Sequence, residues 1–120
     1  MARLLGFGDA RVVTRIGLLC ATSVIGFVQV GDLLLIGMPC EPSAGIGLKV
    51  KEAARKAGFT TPAVVALSND WLAYCLTPEQ YRAGNYEAMM SFYGEPFGPT
   101  LLSALEAGLK QPEAKNRSAP

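Results

Sequence analysis

The sequence contains no histidine. That absence excludes Ser-His-Asp and Cys-His catalysis, HExxH zinc sites and every His-ligated metal centre from anything these 120 residues do unaided. Cysteine is scarce as well. Cys20, Cys40 and Cys75 make an odd number without CxxC spacing, which argues against a disulfide framework and a self-contained thiolate metal site. They read as free, buried thiols. Charge is sparse and balanced, 11 basic against 10 acidic side chains with no basic stripe, so the chain lacks the electrostatic footprint of a nucleic-acid binder. An uninterrupted membrane-length apolar run is missing too, since Gln29 and Asp32 break the stretch over 24–38. Residues 16–28 have the apolar character of a signal-peptide core, with Arg3, Arg11 and Arg15 ahead of them. Asp9 interrupts that approach and no small-x-small cleavage site follows, so the segment reads as buried sheet and the compartment is left open.

Apolar surface is what the chain has. Half of its residues are hydrophobic, enough to offset the entropy of ordering, and 120 residues suit a single core. β-Branched and aliphatic residues over 11–19 predict a strand, followed by a weak break at 21–23. The runs 26–30 and 33–38, separated by Gly31-Asp32, predict a hairpin. Leu33, Leu34, Leu35 and Ile36 in succession predict a strand buried on both faces. Pro42 is expected in the first turn of a helix whose apolar positions fall at Ile46, Val50, Ala53 and Ala57, with Gly58 as its left-handed cap. A second short strand over 63–67 completes a βαβ unit. Thr77-Pro78-Glu79-Gln80 spells a helix start with a capping box, and Gly84 ends that helix. A loop over 94–99 precedes a last helix over 100–109. The expected class is α/β or α+β: a mixed sheet with a βαβ unit and flanking helices, one domain over 1–109 and a polar, disordered tail over 110–120.

In open α/β sheets, ligands collect beyond the carboxyl ends of parallel strands. Glu41 follows the strand ending near Met38, and residues 69–74 follow the next one, so neighbouring strands would bring both to one crevice. Glu41 can cap the helix it precedes, or it can ligate a cation while helix N–H groups hold an anionic oxygen. Trp71, Tyr74, Tyr81, Tyr86 and Tyr93 are packing residues on the plain reading. A phenol can also donate to an oxyanion or ligate a metal. Met89-Met90 reads as core filler.

Several of these segments recur together. Val30-Gly31-Asp32-Leu33-Leu34, Pro39-Cys40-Glu41, Leu67-Ser68-Asn69, the run Tyr74-Cys75-Leu76-Thr77-Pro78-Glu79-Gln80-Tyr81 and Asn85-Tyr86-Glu87-Ala88 resemble, in order and separation, the neutral (non-lysosomal, neutral/alkaline) ceramidase family over roughly residues 26–105. The resemblance implies the C-terminal part of the catalytic domain of a zinc-dependent amidase that hydrolyses the N-acyl bond of ceramide to sphingosine and a fatty acid. The family's zinc is held by two histidines, a glutamate and a tyrosine. Its Pro-Gly-Glu motif matches Pro39-Cys40-Glu41 and implies Glu41 as a metal ligand, its metal tyrosine matches Tyr74, and a second tyrosine that steadies the oxyanion matches Tyr86.

This sequence departs from the family in three ways. Cys40 stands where the motif has glycine, raising the prospect of a thiolate near the metal; Gly98-Pro99-Thr100 lacks the family's histidine; and the upstream parts supplying both zinc histidines and a serine are absent. The expectation is therefore an incomplete catalytic unit, inactive alone, whose partners are a lipid N-acyl amide substrate and a missing N-terminal catalytic portion. Family members are often secreted or surface-associated. The alternative is a non-catalytic binding or interaction module that keeps the fold without the chemistry. A weaker alternative is thiol chemistry at Cys40.

Overall fold

A computed structural model describes the backbone of residues 4–13 and, with side chains, residues 22–110. Strands β1 (Leu4–Val13), β2 (Thr22–Val30) and β3 (Leu33–Gly37) form an antiparallel meander. β2 and β3 meet at Gly31-Asp32, as expected. Gly31 alone takes a positive φ there, +59°, the sign pattern of a type II′ hairpin, and the Gln29 side-chain amide donates to its carbonyl at 3.1 Å. The strand expected over 11–19 coincides with β1 as far as Val13, and its remainder lies outside the described residues. The break expected at 21–23 does not occur at Thr22 and Ser23, which already belong to β2.

After a two-residue strand β4 (Glu41–Pro42) come helix α1 (Ala44–Lys56) and strand β5 (Thr61–Val65). β5 pairs parallel with β3, Leu34 beside Pro62 and Ile36 beside Val64, so the βαβ unit is present and the sheet is mixed, in the order β1-β2-β3-β5. Pro62 is tolerated because β5 is an edge strand, where a missing N–H leaves no ladder bond unmade. Pro42 lies in β4 and not in the first turn of α1. Ser43 is the N-cap instead, its Oγ accepting from the Ile46 N–H at 3.2 Å, a role a hydroxyl fills and a proline cannot. At the other end Gly58, at φ +98°, donates to the Arg55 carbonyl and Phe59 to that of Ala54, the paired bonds of a Schellman close.

A second parallel pair joins β4 to β6 (Tyr74–Cys75). Helix α2 (Pro78–Ala83) has the predicted capping box between Thr77 and Gln80, and Gly84 ends it at φ +73°. A four-residue helix α3 (Tyr86–Met89) follows, capped by Asn85. The last helix, α4 (Phe97–Leu109), starts three residues earlier than its prolines suggest. Pro96 occupies its N-cap and Pro99 its first turn, where absent N–H groups cost nothing. Lys110 closes α4, and the tail over 111–120 lies outside the described residues.

Helices α1 and α4 pack on one face of the sheet. Ile25, Phe27, Leu34 and Ile36 meet Ile46, Val50, Ala54, Leu101 and Leu105 in a continuous core. Each of these side chains contributes on the order of 1.5–3 kcal/mol by leaving water, alanine less. The opposite face differs from expectation: Leu33 and Leu35 are only half-buried, because no described helix lies over them. The α/β expectation holds, as a mixed sheet with a βαβ unit and flanking helices. No helix among the described residues is long and apolar enough to cross a membrane.

Candidate active site at the β4–β6 pair

The segments that leave β3 and β5 are stitched together by backbone bonds. Met38 donates to Val65 at 2.8 Å, Ser68 to Met38 at 2.9 Å, Leu67 to Cys40 at 3.1 Å, Leu72 to Pro39 at 2.7 Å and Glu41 to Ala73 at 2.9 Å. The loop meeting these bonds turns left-handed at Leu67 (φ +53°), Asn69 (+69°) and Ala73 (+55°). Asparagine tolerates that region. Leucine and alanine occupy it at a cost of about 1–2 kcal/mol each, which the surrounding bonds must offset. The turn at Leu67 also explains why β5 stops at Val65 and does not continue through the expected 63–67.

This stitching sets Glu41 directly beside Tyr74 in the parallel register of β4 and β6. Strand alternation separates the neighbouring side chains: Cys40 and Cys75 are fully buried in the core, while Glu41 and Tyr74 are half-buried. Cys40 is fully buried beside Cys75 in the core, whereas the Glu41 carboxylate meets the exposed Trp71 indole. A hydrogen bond to Cys40, together with burial, pushes the Cys75 thiol far above its usual range, so it stays protonated. The Tyr74 hydroxyl is raised too, first by its hydrogen bond to the Glu41 carboxylate and then by desolvation; both favour the neutral phenol as donor.

Tyr86, the first residue of α3, meets Tyr74 edge to face, with ring centroids 6.0 Å apart and planes at 77°. The three residues singled out in the sequence therefore lie together. Glu41 does not cap α1. Its Oε1 accepts instead from the Trp71 indole Nε1–H at 3.1 Å. The N-terminus of α1 is occupied by Ser43, whose hydroxyl in turn donates to Gln80 Oε1 at 2.6 Å, so the Ile46 amide is not available to an anionic ligand.

Several apolar side chains on these segments and on α3 are exposed. Trp71 is 55% exposed, Tyr86 60% and Met89 71%, and Trp71 meets Phe92 edge-on at 6.5 Å. Met89 is thus not core filler, and of the aromatics considered only Tyr93 is buried, stacked at 4.9 Å on Phe97. As a metal-binding set, Glu41 and Tyr74 supply two adjacent oxygen donors, suited to zinc in kind. The number is short. Among the described residues no three His, Cys, Asp or Glu side chains cluster to hold an ion.

No protein-family model matches the chain. Over 73 residues it is 32% identical to the neutral ceramidase of Drosophila melanogaster and equally to that of Drosophila pseudoobscura pseudoobscura, each match covering 56% of this chain. The neutral ceramidase of Mycobacterium tuberculosis (strain ATCC 25618 / H37Rv) is 30% identical over 73 residues. The chain is thus similar in sequence to a part of the neutral ceramidases. It spans about a tenth of the length of the curated ceramidases it matches. The crystal structure of neutral ceramidase from Pseudomonas aeruginosa superposes with a TM-score of 0.70 at 22% identity, covering 74% of this chain and 15% of that one. A ceramidase complexed with C2 superposes equally well and is covered to 14%. At that identity the superposition speaks for the fold alone: the chain follows the path of a segment within a much larger chain.

Trp71, expected as a packing residue, instead donates to Glu41 from an exposed position. The signal was modest but present, since the chain's one tryptophan follows a polar stretch, Ser68-Asn69-Asp70, shortly after a predicted strand.

Proposed function

We propose that this chain is part of a zinc-dependent amidase acting on the N-acyl bond of ceramide-like lipids, with Glu41 and Tyr74 as two of the metal donors and Tyr86 as the phenol that steadies the oxyanion. The observation that carries the reading is the register pairing of Glu41 with Tyr74, which brings a carboxylate and a phenol from separate chain crossings to one place. Zinc, when bound, would polarise the amide carbonyl. The chain's own residues would do the rest. Glu41 brings negative charge to balance the cation, Tyr74 adds a second oxygen, and the Tyr86 hydroxyl donates to an oxygen gaining charge. Exposed Trp71 and Phe92, in edge contact beside Glu41, give a lipid chain a surface to leave water against.

The donors missing here would come from polypeptide beyond these 120 residues, so the isolated chain is expected to be inactive. A chimaera tests this: a full-length neutral ceramidase in which this chain replaces the matching segment. Glu41→Ala or Tyr74→Phe in the chimaera should each remove most of its zinc and its hydrolysis of N-acyl sphingosine. Zinc content unchanged by both substitutions would refute the donor assignment, and hydrolysis by the isolated 120 residues would refute incompleteness. The shortage of donors favours a second reading, a non-catalytic interaction module, under which these substitutions change stability alone.

A further inference from the structure

Trp71 lies in the loop between β5 and β6 and is more than half exposed, an expensive place for a large apolar ring unless specific contacts hold it. Two side chains do so. The indole Nε1–H donates to Glu41 Oε1 at 3.1 Å, and the ring meets Phe92 edge-on at 6.5 Å with planes at 82°. The backbone on either side is fixed as well. The Trp71 amide donates to Asp70 Oδ1 at 2.8 Å, Leu72 donates to Pro39 at 2.7 Å, and Ala73 accepts from Glu41 at 2.9 Å. Left-handed Asn69 and Ala73 bracket the residue. A loop with two unfavourable turns is thus sewn to the segment carrying Glu41, and the outcome is an indole N–H delivered to that carboxylate.

We propose that Trp71 is a positioning residue for Glu41, its indole N–H fixing the orientation of the carboxylate relative to the Tyr74 hydroxyl. The proposal rests on reading Glu41 and Tyr74 as a donor pair. An indole N–H donates one hydrogen bond and accepts none, so it neither ligates a cation nor carries a proton in the chemistry; it acts only through Glu41. Carboxylates that bind metals depend on such outer partners, because an unheld carboxylate must be ordered when the ion arrives. The edge contact with Phe92 keeps the indole in place before any ligand binds. A phenyl ring at position 71 preserves that contact and deletes the donor, which separates packing from positioning.

The 120-residue chain allows a direct test, since its one tryptophan gives one indole N–H resonance in a 15N-labelled sample. In Glu41→Ala that resonance is expected to move upfield and exchange faster with water. Glu41→Gln keeps an acceptor oxygen and should move it less. Trp71→Phe should leave the urea midpoint nearly unchanged yet weaken zinc binding, read by competition with a chromophoric chelator, about tenfold. An indole resonance indifferent to Glu41→Ala overturns the proposal, and so does zinc affinity unaltered in a folded Trp71→Phe. Should Trp71→Phe fail to fold, the graded series Glu, Gln, Ala at position 41 decides, and equal shifts for Gln and Ala count against it. Should the isolated chain, with two donors, bind zinc too weakly to measure, the zinc comparison is made in the chimaera, where affinity unaltered by Trp71→Phe overturns the proposal. Zinc retained there in both Glu41→Ala and Tyr74→Phe refutes the donor-pair reading instead.

Discussion

Glycine at two helical positions shows how one residue type carries opposite meanings. A Cβ at Gly98, in the first turn of α4, would run into the Leu76 carbonyl oxygen and come within 3.0 Å of Ile46 Cδ1. That oxygen belongs to the backbone between β6 and α2, so it cannot swing aside like the end of a side chain. Gly98→Ala should therefore destabilise the chain by about 2–3 kcal/mol, the upper range for overpacking. Gly47, inside α1, faces open space, and its substitution is free of any such contact. Gly47→Ala should stabilise by about 0.5–1 kcal/mol through a less flexible unfolded chain and better helix propensity. Urea unfolding of the two variants should move the midpoint in opposite directions. A neutral Gly98→Ala would mean that α4 does not approach Leu76 as closely as described. The same contrast marks the limit of reading residues from sequence. Gly58 and Gly84 were legible because each follows a helix that needs a left-handed cap, whereas nothing adjacent to Gly98 announces the strand-end carbonyl above it.

Elements that are capped by their own neighbours were the most legible, because cap chemistry is local. Thr77, Pro78, Gln80 and Gly84 are spaced by the geometry of one helical turn, and α2 follows that spacing. What the spacing does not disclose is a second use of Gln80. Its Oε1 accepts from the Thr77 N–H at 3.1 Å and also from the Ser43 hydroxyl at 2.6 Å, tying the starts of α1 and α2 together. Gln80→Ala is expected to cost about 1–2 kcal/mol, more than the loss of a single cap, because the Ser43 hydroxyl also loses its acceptor. Gln80→Glu keeps the acceptor and should cost less. Equal losses in thermal melts would show that the α1 contact contributes nothing. A second tie joins α2 to the loop before α4, where Arg82 Nε and Nη2 both donate to Glu95 Oε1 at 3.0 and 2.6 Å. The guanidinium holds the Glu95 carboxyl below the usual carboxylate range of about 4.5. A depressed carboxyl stabilises the fold above its unfolded pKa and loses that contribution as pH falls through its folded value. The melting temperatures of wild type and Arg82→Met should therefore differ near about pH 6 and converge as the pH falls below the lowered Glu95 pKa. Because Arg82 is largely exposed and Glu95 partly so, the gap should be small and should shrink in high salt.

At the scale of the whole molecule, the described residues cover one side of the sheet with helices and leave the other half-buried. Alternation in β2 and β3 sends Ile25, Phe27, Leu34 and Ile36 into the core and leaves Val24, Val28, Leu33 and Leu35 half-buried on the reverse, with Val65 exposed beside them. The run of four aliphatic residues over 33–36 predicted burial on both faces. That prediction describes a sheet with layers on each side, while the described residues supply one layer. The pairing of Glu41 with Tyr74 was legible for a different reason: neighbouring parallel strands deliver their following loops to one end, and the resemblance named which two residues to watch. The link from Trp71 to Glu41 spans 30 positions, past left-handed Gly58, Leu67 and Asn69, and had no periodic trace. An apolar sheet face open to water should bind a hydrophobic dye in the native state, which a closed two-sided core does not. We expect 8-anilinonaphthalene-1-sulfonate to fluoresce with the folded chain below its unfolding transition. Leu35→Lys puts a charge at the centre of that face while leaving Leu34 and Ile36 in the core, so it should lower the dye signal with little change in the unfolding midpoint. A signal unchanged by Leu35→Lys would place the dye elsewhere, with exposed Trp71, Phe92 and Met89 as the next side chains to test by substitution.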